Sequence, residues 1–306
     1  MVPLHVSLFG KFCAHCGDQA VDSLDAYKVQ ELFCYLLLHP DQPHHREKLA
    51  GLLWEEQPAV QSKNYLRRTL WQLQNALKSQ NGSEPLLQVE SDWIQLTPTT
   101  QLWVDAAVFE LAFMHTNGKQ VSSLDETAVN ALIQAVQLYN GDLLEGWYQN
   151  WCLFERERFR QMLLLMLDKL MAYCEGCGAY EVAITYGMII LRCDLARERT
   201  HRQLMRLYYL GGDRTGALRQ YERCKAILHD ELGVKPGAAT DQLRTQIEAD
   251  QLALPLLDSS GASDSPSGLQ YALLQLQRFD NILSQTRQEI QQEIHRLENT
   301  FFQSKE

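Results

Sequence analysis

The stretch NYLRRTLWQLQNALK, residues 64–78, sets leucines at positions 66, 70, 73 and 77. With each residue turning ~100° about a helix axis, those four fall within one narrow arc, so the segment is predicted to be a helix with a leucine stripe on a core. The opposite arc carries Asn64, Arg67, Arg68, Trp71, Gln74, Asn75 and Lys78, with Lys63 just before it. A polar face can simply be solvated, but a large apolar ring at its centre usually has a partner.

The flanks supply the rest of a small domain over residues 1–105. Short strands are expected around LHVSLFGKFCAH and QAVDS. In DAYKVQELFCYLLLH, Val29, Leu32, Phe33 and Leu36 recur at helical spacing until Pro40 stops the helix. HREKLAGLLW follows, with Leu49, Leu52 and Leu53 on its buried side. After the 64–78 helix, LLQVE and WIQLT flank Ser91-Asp92 as a tight hairpin. Three helices followed by a β-hairpin is the order of a winged helix.

In a winged helix the third helix is the one available to a groove of DNA. Arg grips guanine bidentately, Asn and Gln do the same with adenine, and an aromatic ring can touch a thymine methyl. Lys63 and Lys78, at the two ends, suit phosphates. The net charge of −10 opposes this reading. Within Gln57–Ser83, however, the cations Lys63, Arg67, Arg68 and Lys78 stand without one acid among them. Few counterions would be released, so nonspecific affinity should be weak, and specific binding should rely on dimers or paired sites.

At 306 residues with 45% apolar side chains, the chain has room for two or three globular domains. No apolar run approaches the ~18 residues of a membrane span, and the N-terminus lacks an export signal, so a cytoplasmic protein is expected. The eight cysteines should then be reduced. Cys13/Cys16 and Cys174/Cys177 have the spacing of zinc or redox pairs. They lie ~160 positions apart, in different expected domains, whereas a closed zinc site needs four converging ligands. His44, His45 and Glu47 fit the first turn of the second helix better than a metal site, with His45 or its neighbours near DNA phosphates. No nucleophile elbow, HExxH helix, dinucleotide fingerprint, kinase signature or GxxxxGK[ST] loop is present, so no enzyme and no cofactor are expected.

Residues 106–253 are predicted to be helical almost throughout. Gly178…Ala183 is echoed by Gly212…Ala217, and Leu170-Met171 by Leu204-Met205, each at an offset of 34 residues, the period of tetratricopeptide repeats. Residues 192–225 are rich in arginine, and several of these side chains are expected to pair with Asp194, Glu198, Asp213 and Glu222. Residues 254–268 read as a flexible linker. In 269–306, Leu269, Leu276, Leu283, Ile290 and Leu297 keep strict heptad spacing, which predicts a coiled-coil helix and a homodimer. A second seam, Leu273, Ile294 and Phe301, is interrupted by Asp280 and Arg287, so the zipper should be modest.

The order of motifs resembles the bacterial transcriptional activators of the Streptomyces antibiotic regulatory protein type. The resemblance spans about residues 4–250. It is carried by LHVSLFGKF, YKVQELFCYLLLHP, HREKLAGLLW and KNYLRRTLWQLQNALK, then NGDLLEGW (140–147), FERERFR (154–160) and LARERTHRQLMRLYYLGGDRTGALRQYERCKAILHDELGVKPG (195–237). It implies a mainly α fold: an OmpR-like winged helix-turn-helix followed by an all-α, tetratricopeptide-like bacterial transcriptional activation domain. It implies a helix at 61–78 in the major groove of promoter repeats, DNA-facing Asn64, Arg67, Arg68, Trp71 and Asn75, and recruitment of RNA polymerase. The acidic tip Glu90-Ser91-Asp92 departs from a phosphate-binding wing, and neither an ATPase module nor a receiver domain is expected.

Three readings follow: a DNA-binding regulator, dimeric through its C-terminal helix; a protein-interaction adaptor whose winged helix no longer binds DNA; and, more distantly, a thiol-based sensor.

Overall fold

A computed structural model describes residues 3–17, 19–21, 24–78, 86–97 and 102–252. The expected linker at 254–268 and the heptad helix at 269–306 lie outside them. The described chain is mainly helical, with ten α-helices and two small sheets confined to the N-terminal third.

The first sheet has the order β3 (Gln19–Ala20), β2 (Cys13–Cys16), β1 (Leu4–Ser7), β7 (Leu102–Val104). Its hairpins are antiparallel, but β7 joins β1 in parallel, with Leu4 opposite Leu102 and Val6 opposite Val104. Between β1 and β7 the chain builds the three helices and the wing. α1 (Tyr27–Leu38) buries Val29, Leu32, Phe33 and Leu36, the residues whose spacing predicted it. α2 (Arg46–Leu53) buries Leu49 and Leu53 but leaves Leu52 half-buried. α3 (Ala59–Lys78) begins earlier than expected because the Ser62 hydroxyl donates toward the carbonyls of the α2–α3 turn and secures its first turns. The second sheet is the wing, with β5 (Leu87–Val89) and β6 (Trp93–Leu96) paired around residues 90–92 and β4 (His44–His45) on the far side of β6.

From Asp105 onward the fold is a stack of helices: α4 (Asp105–Thr116), α5 (Glu126–Leu138), α6 (Asn150–Gly176), α7 (Tyr180–Cys193), α8 (Glu198–Leu210), α9 (Arg214–Leu232) and α10 (Ala238–Glu248). The echo at 34 residues is structural. Gly178 and Gly212 both adopt positive φ, 72° and 84°, and turn the chain from α6 to α7 and from α8 to α9. Leu170, Met171 and Ala183, and their counterparts Leu204, Met205 and Ala217, are all buried where the helix pairs meet. At Gly187 a Cβ would come within 2.6 Å of Leu204 Cδ2, so the absent side chain lets α7 lie close on α8.

The sheet and the helices as far as α8 share one continuous apolar core, from Leu4 and Val6 through Phe109 and Phe159 to Leu207. Two features join them. Phe9, just beyond β1, packs its ring 5.1 Å from Phe109, 4.7 Å from Tyr139 and 5.6 Å from Phe159. The Asp105 carboxylate, in the first turn of α4 and buried, accepts the backbone N–H of Leu8 at 2.8 Å, of Phe9 at 3.0 Å and of Ala106 at 2.7 Å. Desolvation raises its pKa despite these bonds. Asp105→Ala would strand two buried donors from the β1 loop. It should lower stability by about 2–4 kcal/mol. Urea titration should show the secondary-structure and aromatic signals moving to the lower midpoint together, because the two halves are not separate cores.

Candidate nucleic-acid interface

Helix α3 carries the predicted contact face. Its inner stripe, Leu66, Leu70, Leu73 and Leu77 with Ser62, Thr69 and Ala76, is buried against α1 and α2. On the outer side Lys63, Asn64, Arg67, Arg68, Asn75 and Lys78 are exposed, and Trp71 is 63% exposed. Gln74 is half-buried and sits at the shoulder between the two faces. Among the described residues Arg67, Arg68 and Lys78 have no carboxylate partner. The inside-outside division follows from the 3.6-residue period, which makes it legible in the amino-acid sequence alone.

Lys63 is different. Its ammonium is paired with Glu47 of α2, and that bond holds the Glu47 carboxyl below its usual pKa. The predicted cluster of four cations is therefore reduced locally to three free ones. Glu47 lies 16 residues earlier, outside the acid-free window, and only the helix-turn-helix geometry brings it near.

A groove of about 250 Å³ runs between the N-terminal half of α3 and the wing. His45, Arg46, Lys63, Asn64, Arg67 and Asp92 are among its lining residues. Arg46 is not singled out by the sequence pattern. It occupies the first position of α2, and its Nε is buried without a hydrogen-bond partner among the described residues. Its signal in sequence is the run HHREK, which reads as a helix start rather than as part of a surface. His45 does cap α2, its Nδ1 accepting the Glu47 N–H at 3.3 Å, and its ring stands edge-on to Trp93 of the wing at 5.2 Å. Asp92, an acid, faces this same groove, while Glu90 accepts a hydrogen bond from Gln88 beside it.

The cysteine pairs do not assemble. Cys13 and Cys16 bracket β2, Cys174 is buried at the end of α6 with its thiol pushed up to about 12 by desolvation, and Cys177 is exposed beyond it. Among the described residues no three of His, Cys, Asp and Glu converge as metal ligands, and no helix is long and apolar enough to cross a membrane.

A winged-helix-like region is joined here through one core to a tetratricopeptide-like stack. Residues 104–248 match the bacterial transcriptional activator domain, and the chain is distantly similar to regulators that carry an N-terminal winged-helix-like region. Regulatory protein AfsR of Streptomyces coelicolor is 25% identical over 244 residues, which cover 79% of this chain and 24% of AfsR. The structure of Mycobacterium tuberculosis EmbR, determined in complex with a low-affinity phosphopeptide, superposes with a TM-score of 0.64 at 22% identity, over 83% of this chain and 67% of EmbR. That likeness establishes the fold.

If α3 meets phosphates, releasing Lys63 should add one contact. Glu47→Gln is expected to steepen the salt dependence of DNA binding by about 0.9 in the slope of log K against log salt. Anisotropy titrations of a labelled duplex across salt concentrations would measure it, and an unchanged slope would mean that Lys63 lies off the DNA path.

Proposed function

We propose that this chain is a sequence-specific DNA-binding regulator, and an activator, that reads the major groove with the outer face of α3. The observation that carries the proposal is the division of α3. A fully buried leucine stripe fixes the helix, and the opposite face presents Asn64, Arg67, Arg68, Trp71 and Asn75 to solvent. Arg67 and Arg68 would take guanine edges or flanking phosphates, Asn64, Gln74 and Asn75 adenine edges, and Trp71 a thymine methyl. Lys78 and, once released, Lys63 would meet phosphates at the two ends, and Arg46 would add a further cation from α2. The site of action would be the cytoplasm, on double-stranded promoter repeats.

The helical repeats would make protein contacts, RNA polymerase among them, and the shared core would hold them at a fixed orientation to the DNA reader. Leu269, Leu276, Leu283, Ile290 and Leu297 would form the dimer seam, supplying the second half-site that a weakly charged reader needs. A chain ended at residue 253 should sediment as a monomer where the whole chain sediments as a dimer, and it should bind tandem sites with at least tenfold lower affinity. Equal sedimentation of the two would remove the heptad helix from the dimer.

A second reading has its own support: Asp92 and Glu47 face the groove beside α3, and the chain as a whole carries −10. In that reading the winged helix binds protein instead. Selection of fragmented genomic DNA at ~0.1 M salt, by the wild type and by Arg67→Glu/Arg68→Glu in parallel, separates the two. Both arginines are exposed and off the leucine stripe, so the variant should keep its circular dichroism and melting curve. Enrichment of a repeated motif by the wild type alone is the expected result. Enrichment by neither protein would favour the adaptor.

A further inference from the structure

The arginine-rich run at 192–225 resolves into two populations. Arg197 pairs with Asp168 at 2.8 Å, Arg206 with Glu175 at 2.8 Å, and Arg214 donates to the carbonyls of Ile247 and Glu248 at the end of α10. Of the partners expected from helical spacing, Glu198 takes Arg202, at 3.7 Å, while Asp168 and Glu175 come from the neighbouring helix α6. These arginines staple the stack. Arg199 belongs to the other population: it is exposed, with no carboxylate partner among the described residues.

Arg199, Arg202 and Arg206 follow one another at helical spacing on α8, and all three line a cleft of about 380 Å³ between α8 and α10. Gln203 shares their side, and Gln242 and Gln246 face them from α10. Among the described residues no Asp or Glu lines the cleft. Glu198 and Glu175 pair with arginines from outside the lining, and Glu198 also accepts from the Gly237 N–H at 2.8 Å and from Thr240. Leu243 and Leu252 add an apolar patch. The cleft lies beside a second, smaller core of Met205, Ala217, Tyr221 and Ile247, separate from the one that carries the winged helix.

We propose that this cleft binds an acidic peptide segment of a partner protein. Arg202 and Arg206 are each matched by a carboxylate outside the lining, so the unbalanced charge of the cleft is that of Arg199. With no lining acid to oppose it, that charge favours a ligand that carries carboxylates, for which the arginine fork is the matching donor. The glutamines, each with an N–H donor and a C=O acceptor, favour a ligand that both donates and accepts. Gln203 Oε1 is buried with no hydrogen-bond partner among the described residues, and such an acceptor needs an N–H donor to offset its lost water. A peptide main chain supplies N–H and C=O groups in alternation, which suits Gln203, Gln242 and Gln246, and its side chains can cover the leucines. A phosphodiester backbone supplies acceptors alone. The DNA-reading proposal for α3 neither requires this cleft nor depends on it.

The test is binding of the full chain to an array of acidic, neutral and basic 12-residue peptides, followed by anisotropy titration of the best acidic one. Retention of acidic peptides only is expected. Arg199→Glu should weaken the best peptide at least tenfold, and Gln203→Leu should weaken it while leaving the charge intact. Both variants should keep the wild-type melting curve and genomic DNA selection. The proposal is overturned if no acidic peptide is retained above neutral ones, or if Arg199→Glu binds them as well as the wild type. It is also overturned if a single-stranded oligonucleotide of equal charge displaces the peptide while Gln203→Leu has no effect, since the cleft would then be a phosphate site.

Discussion

One buried carboxylate ties the N-terminal sheet to the helical stack. Asp105 stands where the last strand of the N-terminal sheet becomes the first helix of the stack, and its oxygens hold the Leu8 and Phe9 amides. With those amides fixed, the Phe9 ring enters the aromatic cluster of α4, α5 and α6, and the loop continues into main-chain bonds between Leu8, Gly10 and residues 142–145. A charge in so dry a place is costly unless fully bonded. Here the bonds run between parts of the chain 97 residues apart, so the cost is tied to closing the fold.

A second set of contacts reinforces the same junction. Buried Glu31 on α1 is paired with Lys28 at 2.7 Å and lies 3.3 Å from Trp151 Nε1 on α6, and the Tyr35 ring stands edge-on to Trp151. α1 therefore has two faces at work, one under α3 and one against the stack. A push on the repeats has a packed route to the proposed reading helix, since α3 lies on α1 and α1 on α6 and α4. The arrangement joins, through packed contacts, the two regions to which functions are proposed.

The proposed reader shows how a net acidic protein can present a basic surface. Acids abound in the chain, but several of those near the arginines on the stack are spent as their partners, within a helix or across to a neighbouring one, and α3 itself has none. The compromise is visible at Lys63 and Glu47, where one cation of the face is neutralised, and at Asp92, where the wing contributes an acid to the groove. Both reduce nonspecific attraction to phosphate and leave discrimination to side chains that can meet base edges.

Much of this is legible in the sequence, because it depends on period. The leucines of α3 and the repeat of 34 are local regularities, and the helical faces they define for residues 64–78 and 170–217 are the ones observed. Order along the chain likewise suffices for the winged helix and for the family resemblance. What the sequence leaves open concerns partners far apart: β7 beside β1, Asp105 under the β1 loop, Glu47 on Lys63, Arg46 in the groove, and Asp168 and Glu175 in place of the partners expected for the arginines. Each is a pairing chosen by packing, and no spacing along the chain encodes it. Local pattern fixes which face of an element is apolar, whereas the shape of the closed core decides which charged groups then meet.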